Sequence, residues 1–225
     1  MDYFHFIQLI ALYAIPAIFA ITLHEAAHGY AARHFGDPTA AQAGRITLNP
    51  IRHIDPVGTL LVPALMLLAS GGKLAFGWAK PVPVNFGRLR HPKRDMLWVA
   101  AAGPGANLLM AVAWAIVIKL AQSLPVSYFT DPLLLMATGG IIINAVLMVL
   151  NLLPLPPLDG GRIAVSLLPH RLAYRFARIE PYGMLILMGL VLLPIVIPTA
   201  PSILSQILLP FVRAFVALLT SIFRI

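Results

Sequence analysis

The chain has 225 residues, of which 60% are hydrophobic and only 11% are charged. Soluble domains carry roughly 25% charged residues, so this composition excludes a soluble enzyme or binding module and indicates a membrane protein. Sixteen Lys and Arg residues against eight Asp and Glu give a net charge of +8. In a membrane protein such basic residues contact anionic headgroups, so we expect the lipid bilayer, and no nucleic acid, as their partner.

Apolar stretches that approach the length needed to cross hydrocarbon, about 20 residues, recur along the chain. They predict a long first helix at 6–32 and further spans at 95–120, 132–153, 182–198 and 202–223. The fold class expected is an all-α polytopic membrane protein with about five to six transmembrane helices. No part of the chain is left over for a soluble domain of about 100 residues, so residues 1–225 are expected to form a single membrane-embedded domain.

The stretch between the first two long spans is predicted to be irregular. Residues 57–70 are apolar, but fourteen residues rise only about 21 Å in a helix, which favours a re-entrant or short helix. The alternative, a crossing of a thinned bilayer, makes six spans. Small β segments are expected here: residues 44–48 alternate as in a short strand, and the proline-marked segment 79–86 favours an extended edge.

The distribution of basic residues predicts the orientation. Lys and Arg number three, six and four in the loops 33–56, 71–94 and 156–181, against only Lys119 in the links near 119–131 and 194–201. If 57–70 is re-entrant, all the basic loops lie on one side. The positive-inside rule places that side in the cytoplasm and the amino terminus outside. We therefore expect a multi-pass protein of the cell membrane.

The residues His24-Glu25-Ala26-Ala27-His28 lie within the first predicted helix. Four residues turn a helix by about 400°, so both imidazoles lie on one face, a turn apart, as in a metal-chelating pair. Glu25 is rotated off that line but can reach a water held by the same ion. The pattern is typical of a zinc hydrolase in which a carboxylate takes the proton of the water.

The cost of burying these three side chains supports a functional interpretation. An ionisable residue deep in a bilayer costs about 2.5–3.5 kcal/mol on the insertion scale, which makes a cluster of three without function improbable. The structural alternative is a pair of histidines bonded to carbonyl groups beside a neutral glutamic acid.

A catalytic zinc ion usually takes three protein ligands, so a third ligand must lie elsewhere in the chain. Asp159 is the best-placed acid, because the segment Asn151-Leu-Leu-Pro-Leu-Pro-Pro-Leu-Asp159-Gly-Gly interrupts the third span with three prolines. The backbone freed by this break must face protein or water, where a carboxylate can reach a metal. The alternative is that Asp159 caps a helix beginning at Gly160.

HEAAH in the first span, together with LPLPPLDGGR at 153–162, resembles the site-2 protease family of intramembrane zinc metalloproteases. The likeness extends to AGPGAN at 102–107 and GWAKPVPV at 77–84, and it covers most of residues 18–165. Many members of that family carry a PDZ or CBS domain; this sequence shows neither, so we expect a compact form of the family. The resemblance places the core at about 6–168 and leaves 182–223 as accessory helices.

The resemblance also implies roles for single residues. His24, His28 and Asp159 would bind one Zn2+ ion per chain, and Glu25 would be the catalytic general base. Three spans, those holding HEAAH, AGPGAN and LDGG, would form the catalytic core.

Three asparagines and two glycines complete the candidate residues. Asn107 and Asn151 are candidates to bond the substrate backbone or the oxyanion, since an amide donates without adding charge. For Asn144 an interhelical hydrogen bond is the favoured interpretation. Gly103 and Gly105 are expected to permit close helix packing.

These features predict an intramembrane zinc endopeptidase that cleaves a single-span, membrane-anchored protein within or near its transmembrane segment. The segment 79–86 is expected to hold the substrate as an added strand, because a helical peptide bond is shielded by its own hydrogen bonds. The alternative function is a divalent-metal or proton transporter, because carriers also place His and Glu on membrane helices. A carrier would show inverted repeats or acids spread along a path, whereas this sequence has one compact cluster.

Overall fold

The computed structural model of the chain describes residues 3–71, 77–197, 199 and 201–225, and these are helical or irregular, without strands. The helices are α1 (Tyr3–His34), α2 (Thr39–Gln42), α3 (Val62–Ala69), α4 (Pro92–Gln122), α5 (Thr130–Asn151), α6 (Asp159–Leu167), α7 (His170–Ala177), α8 (Glu180–Val196) and α9 (Ile203–Phe223). A π-helical turn at Pro56–Leu61 leads into α3. The prediction of an all-α protein is confirmed for this part of the chain.

Three helices, α4, α5 and α9, are long and apolar enough to cross a membrane. The pair α7 and α8, bent by 55° at a short break, passes the same test only when taken together. The described residues therefore support three or four crossings, and the five to six expected from the sequence are not confirmed. Residue 198, the expected end of the fourth span, lies outside them.

Small residues allow the long helices to pack closely along α4. Helix association in lipid depends on close van der Waals packing rather than on the hydrophobic effect. A buried cluster joins Ala111 and Ala115 of α4 to Ala137 of α5 and Leu219 of α9. The carboxyl-terminal half of α9 therefore lies against α4 and α5.

The direction of α9 follows from the same contacts. Lys119 Nζ, near the end of α4, donates to the carbonyl oxygen of Arg224, just past the end of α9, at 3.3 Å. The two helices therefore run parallel. Successive complete crossings alternate in direction, so after α5 two further full spans would make α9 antiparallel to α4. The expectation that 182–198 and 202–223 both cross in succession does not fit this arrangement.

The apolar stretch Pro56–Ala69 contains 14 residues, which rise about 21 Å as a helix. After it the chain returns to the start of the same stretch, because Trp78 N donates to Gly58 O at 3.0 Å. This return favours the re-entrant arrangement over a crossing.

Segments 44–48 and 79–86 do not form the small β segments expected from the sequence. Prolines in the second segment cannot donate to a strand ladder. The segments are held together by a side chain instead: the Arg45 guanidinium donates to the carbonyl oxygens of Lys80, at 2.9 Å, and Pro81, at 3.4 Å. Two carbonyl oxygens that a neighbouring strand would need as hydrogen-bond acceptors are therefore occupied by the Arg45 side chain.

Candidate metal centre

The four-residue spacing of His24 and His28 on α1 brings their rings together as the helical period predicts. Their Nε2 atoms are 3.1 Å apart and their ring centroids 4.7 Å apart. Both atoms point away from the axis of α1 toward the start of α6.

Asp159 is the first residue of α6, directly after the irregular turn that ends α5. A Cβ on Gly160 would overlap the backbone of Leu152, and one on Gly161 would overlap that of Pro156, so both glycines let α6 start against this turn. The carboxylate then reaches α1, with Oδ2 3.2 Å from His24 Nε2 and Oδ1 3.3 Å from His28 Nε2. The side chain of Asp159 is not a helix cap.

The hydrogen bonds behind the two rings determine which nitrogens carry hydrogen. His28 Nδ1 lies 2.7 Å from the carbonyl oxygen of Val99, which can only accept. His24 Nδ1 lies 2.6 Å from Asn107 Oδ1, and the amide nitrogen of Asn107 donates elsewhere. Both neutral imidazoles therefore carry hydrogen on Nδ1 and present an Nε2 lone pair.

Three ligand atoms thus converge on one point. Asp159 Oδ2 is buried and accepts no hydrogen bond within the described part of the chain. Ligands about 2.0 Å from a tetrahedral zinc ion lie about 3.3 Å from one another, and the three distances here are 3.1, 3.2 and 3.3 Å. Two histidines and one carboxylate are also a donor set that catalytic zinc sites use. The residues present therefore fit a zinc ion.

Gly103 of α4 covers this centre. A Cβ at this position would lie 2.6 Å from His24 Nε2 and would also overlap the ring of His28. A Cβ on Gly105 would meet no atom within 4 Å. The close helix packing expected at Gly103 is therefore present, against the two histidines of α1, whereas Gly105 makes no close approach within the described residues.

Glu25 lies beside the three side chains, in the wall of a cavity of about 480 Å³. Its Oε2 accepts a hydrogen bond of 2.7 Å from the backbone N–H of Val82. The cavity opens between helices and is lined mainly by apolar groups. Its lining residues include Ala17, Ile21, His24, Glu25, Thr59, Trp78, Ala79, Leu147, Asn151 and Leu187.

Asn107 does not lie on the substrate side. It is fully buried, its Oδ1 faces His24, and its amide nitrogen donates to Ala20 O at 3.3 Å and Asn144 Oδ1 at 3.0 Å. No hydrogen is left for an oxyanion, so the structure corrects the expectation for Asn107. Asn144 Oδ1 accepts the hydrogen bond from Asn107, which is the interhelical contact favoured from the sequence, and the Asn144 amide nitrogen donates to Gly140 O of its own helix at 2.8 Å.

Asn151 lies in the cavity wall, half-exposed, with one amide hydrogen donated to Leu147 O at 3.0 Å. Its position agrees with a substrate contact, which stays a prediction. Sequence reasoning missed the two backbone groups at this centre, Val99 O and Val82 N. Every residue carries the same main-chain groups, so no pattern of residue types in the sequence could reveal which of them reach the centre.

Comparison with known proteins supports a protease. The sequence model described as peptidase family M50 matches residues 126–194. The chain is 38% identical over 196 residues to "Putative zinc metalloprotease YwhC" of Bacillus subtilis, which covers 84% of each chain.

Two further relatives are named "Putative zinc metalloprotease Rip2". The protein of Mycolicibacterium smegmatis is 31% identical over 182 residues, which cover 79% of this chain and 65% of the relative. That of Mycobacterium tuberculosis is 33% identical over 155 residues, 67% of this chain and 54% of the relative. The chain therefore spans only part of the length of the Rip2 proteins. No solved structure matches the chain.

The similarity to YwhC extends over most of both chains, and none of these relatives is named as a transporter. Several apolar helices place the protein in a membrane as a multi-pass protein. The chain belongs to peptidase family M50, the site-2 protease family, and is a zinc metalloprotease.

Proposed function

We propose that the protein is an intramembrane endopeptidase that binds one zinc ion through His24, His28 and Asp159 and uses Glu25 as its general base. One observation carries the proposal. Three ligand atoms converge at zinc-like distances, and a fourth ionisable side chain stands beside them in a cavity wall. No other group of three His, Cys, Asp or Glu ligand atoms converges in this way within the described residues.

The chemistry divides between the ion and the chain. Bound zinc would polarise the scissile carbonyl and lower the pKa of a water molecule. Glu25 would accept the proton of that water and pass it to the leaving amine. The Val82 N–H holds Glu25 Oε2, which orients the carboxylate and leaves Oε1 for the proton.

The cavity supports a membrane-anchored substrate. Its walls come largely from apolar side chains of α1, α5 and α8, which fit a transmembrane segment, while Asn151 offers polar groups to a peptide backbone. Ala79, which lies outside the helices, is in the same wall. We therefore propose that a single-span protein is cleaved within or near its transmembrane segment, which would lie in this cavity beside Glu25.

The proposed setting is one membrane-embedded domain over residues 1–225, with α1 as a further crossing. The loop charges favour the cell membrane, an amino terminus outside and a zinc centre nearer the cytoplasm. Lys80, Arg88 and Arg90 precede α4, and Lys93 and Arg94 lie in its first turn, which supports this orientation.

Replacing Glu25 by Gln tests the mechanism. We expect Glu25→Gln to lower cleavage of a reconstituted single-span reporter by more than about 100-fold, the size of general-base effects. Zinc content, measured by atomic absorption, should stay at one ion per chain, because Glu25 is not a ligand in the proposal.

The chain offers a matched control. Glu180 is the other glutamate of the sequence; it lies at the start of α8 and pairs with Arg162 at 3.7 Å. Glu180→Gln should retain cleavage, whereas His24→Ala and Asp159→Ala should lose both zinc and cleavage. Full activity in Glu25→Gln, or undiminished zinc in Asp159→Ala, would contradict the proposal.

A further inference from the structure

The middle of α9 carries a charge that the described residues do not neutralise. Arg213 is the eleventh of the 21 residues of α9, so ten helical residues lie on either side of it. Its side chain is exposed. It makes no hydrogen bond and no ion pair within the described part of the chain.

The position of Arg213 at the middle of α9 makes the usual escape to water costly. Arginine side chains reach the membrane surface when they lie near the end of a span. Arg213 lies about 15 Å from each end of α9 at 1.5 Å per residue. A guanidinium has five donors, so an acceptor from another molecule would offset the cost of burying it at the middle of a span.

Polar side chains continue from Arg213 toward the start of α9. Ser202, Gln206, Leu209 and Arg213 are spaced four, three and four residues apart, with Ser205 next to Gln206, which places all five on one side of the helix. Together with Pro210 they line a groove of about 490 Å³, which we call the Arg213 groove. Ser202 donates to Ser205 at 2.7 Å, whereas the guanidinium at the far end has no partner among the described residues.

We propose that the Arg213 groove binds a transmembrane helix of another membrane protein that carries a carboxylate at mid-membrane depth. Charge complementarity determines the partner, because a carboxylate accepts two hydrogen bonds from a guanidinium and neutralises its charge. The serines and Gln206 provide the interhelical hydrogen bonds that favour such association in lipid.

Two other occupants fit less well. A second copy of the chain related by a two-fold axis would place its own Arg213 at the same depth against this one, and like charges repel. The substrate of the protease would occupy the cavity beside Glu25, whose described lining contains no residue of α9. The inference concerns a distinct partner and does not depend on the proposed catalytic mechanism.

A defined probe tests this proposal. The probe is a labelled synthetic helix of leucine and alanine with one glutamate at its centre, placed in vesicles of phosphatidylcholine and phosphatidylglycerol. The protein has no cysteine, so Val126→Cys, at an exposed loop position, carries the second label for energy transfer. We expect the glutamate helix to bind at least about tenfold more tightly than the same helix with leucine at its centre.

The preference of the Arg213 groove for one helix probe over another should change with the charge at position 213. Arg213→Leu should abolish the preference for the glutamate helix, and Arg213→Glu should transfer it to a helix with a central lysine. Arg224→Leu removes the same side chain at the end of α9 and should leave binding unchanged.

Three outcomes would overturn the proposal. Equal binding of the leucine and glutamate helices would show that the groove does not recognise charge. A preference retained in Arg213→Leu would locate the site elsewhere. Energy transfer between two labelled copies of the protein, lost in Arg213→Leu, would identify a second copy as the occupant.

Discussion

At the scale of single residues, the orientation of the His24 ring depends on Asn107, which is not itself one of the proposed zinc ligands. Asn107 accepts the Nδ1 hydrogen of His24 and is itself held by Ala20 O and Asn144. A hydrogen-bonded partner of this kind fixes both the tautomer and the angle of a ligand ring. We therefore infer that Asn107 positions His24.

Asn107→Ala should lower the affinity for zinc by about 10–100-fold, because His24 loses the acceptor that holds its ring. Competition with a fluorescent chelator measures this change. Asn151→Ala removes the same amide from the cavity wall, away from the rings, and should leave zinc affinity unchanged. Equal affinities in all three proteins would refute the positioning role of Asn107.

Gly103 is a second position at which a single atom matters. Gly103→Ala should displace the rings of His24 and His28 and lower zinc content to below half of the wild-type value, because the new methyl group has no space. Gly105→Ala, two residues further along the same helix, should leave zinc content and cleavage intact. A zinc-replete Gly103→Ala protein would contradict the close contact.

At the scale of elements, a buried carboxylate ties the end of α1 to the segment before α4. Asp37 has no exposed surface and accepts hydrogen bonds from Thr39 N at 3.0 Å and Asn85 N at 2.6 Å, and from the Thr39 hydroxyl. Burial alone would raise the pKa of Asp37. The hydrogen bonds and the charge of Arg88 outweigh burial, so the pKa lies below its usual value of 3.8.

This shift predicts an acid dependence of stability. Asp37 binds its proton less tightly in the folded chain than in the unfolded chain. The contribution of its carboxylate to the free energy of unfolding is therefore complete above pH 3.8. It is lost as the pH falls through the lowered pKa. At neutral pH, Asp37→Asn should lower the free energy of unfolding in detergent by about 1–3 kcal/mol. The difference between the two proteins should shrink below pH 3.8. A difference in the free energy of unfolding that stays constant at all pH values would exclude ionisation of Asp37 as its cause.

The elements also show which features a sequence can reveal. HEAAH and the proline break before Asp159 are local patterns, and the helical period alone predicts that both histidines share a face. The direction of α9 and the contact of Asn107 with His24, by contrast, are not local patterns of the sequence. They depend on which helices meet at small residues such as Ala111 and Ala137, and a single sequence does not state such pairings. Segment 44–48 alternates like a strand, but its Arg45 pairs with carbonyl groups and no ladder forms.

At the scale of the whole molecule, the parallel course of α4 and α9 determines where the chain ends. Arg224 lies beside Lys119, at the same end of the bundle as the link between α4 and α5. The loop that contains α7 lies at the other end, where α5 gives way to α6. Helices α8 and α9, which follow the bend after α7, therefore do not both cross the membrane completely.

Single cysteines test this topology, because the natural chain has none. Cysteines at positions 126 and 224 should react with a membrane-impermeant maleimide from the same side of sealed vesicles. A cysteine at position 171, in α7, should react from the opposite side. If position 224 instead reacts together with position 171, α9 runs antiparallel to α4 and both α8 and α9 cross.

The distance along the chain between the ligands bears on how the enzyme is made. Asp159 follows His28 by 131 positions, so during synthesis the first segment enters the lipid long before the residue that completes the centre exists. A nascent chain therefore carries its histidines and Glu25 without a closed metal site. With the proposed ligand set, proteolytic competence would arise only when α6 docks against α1.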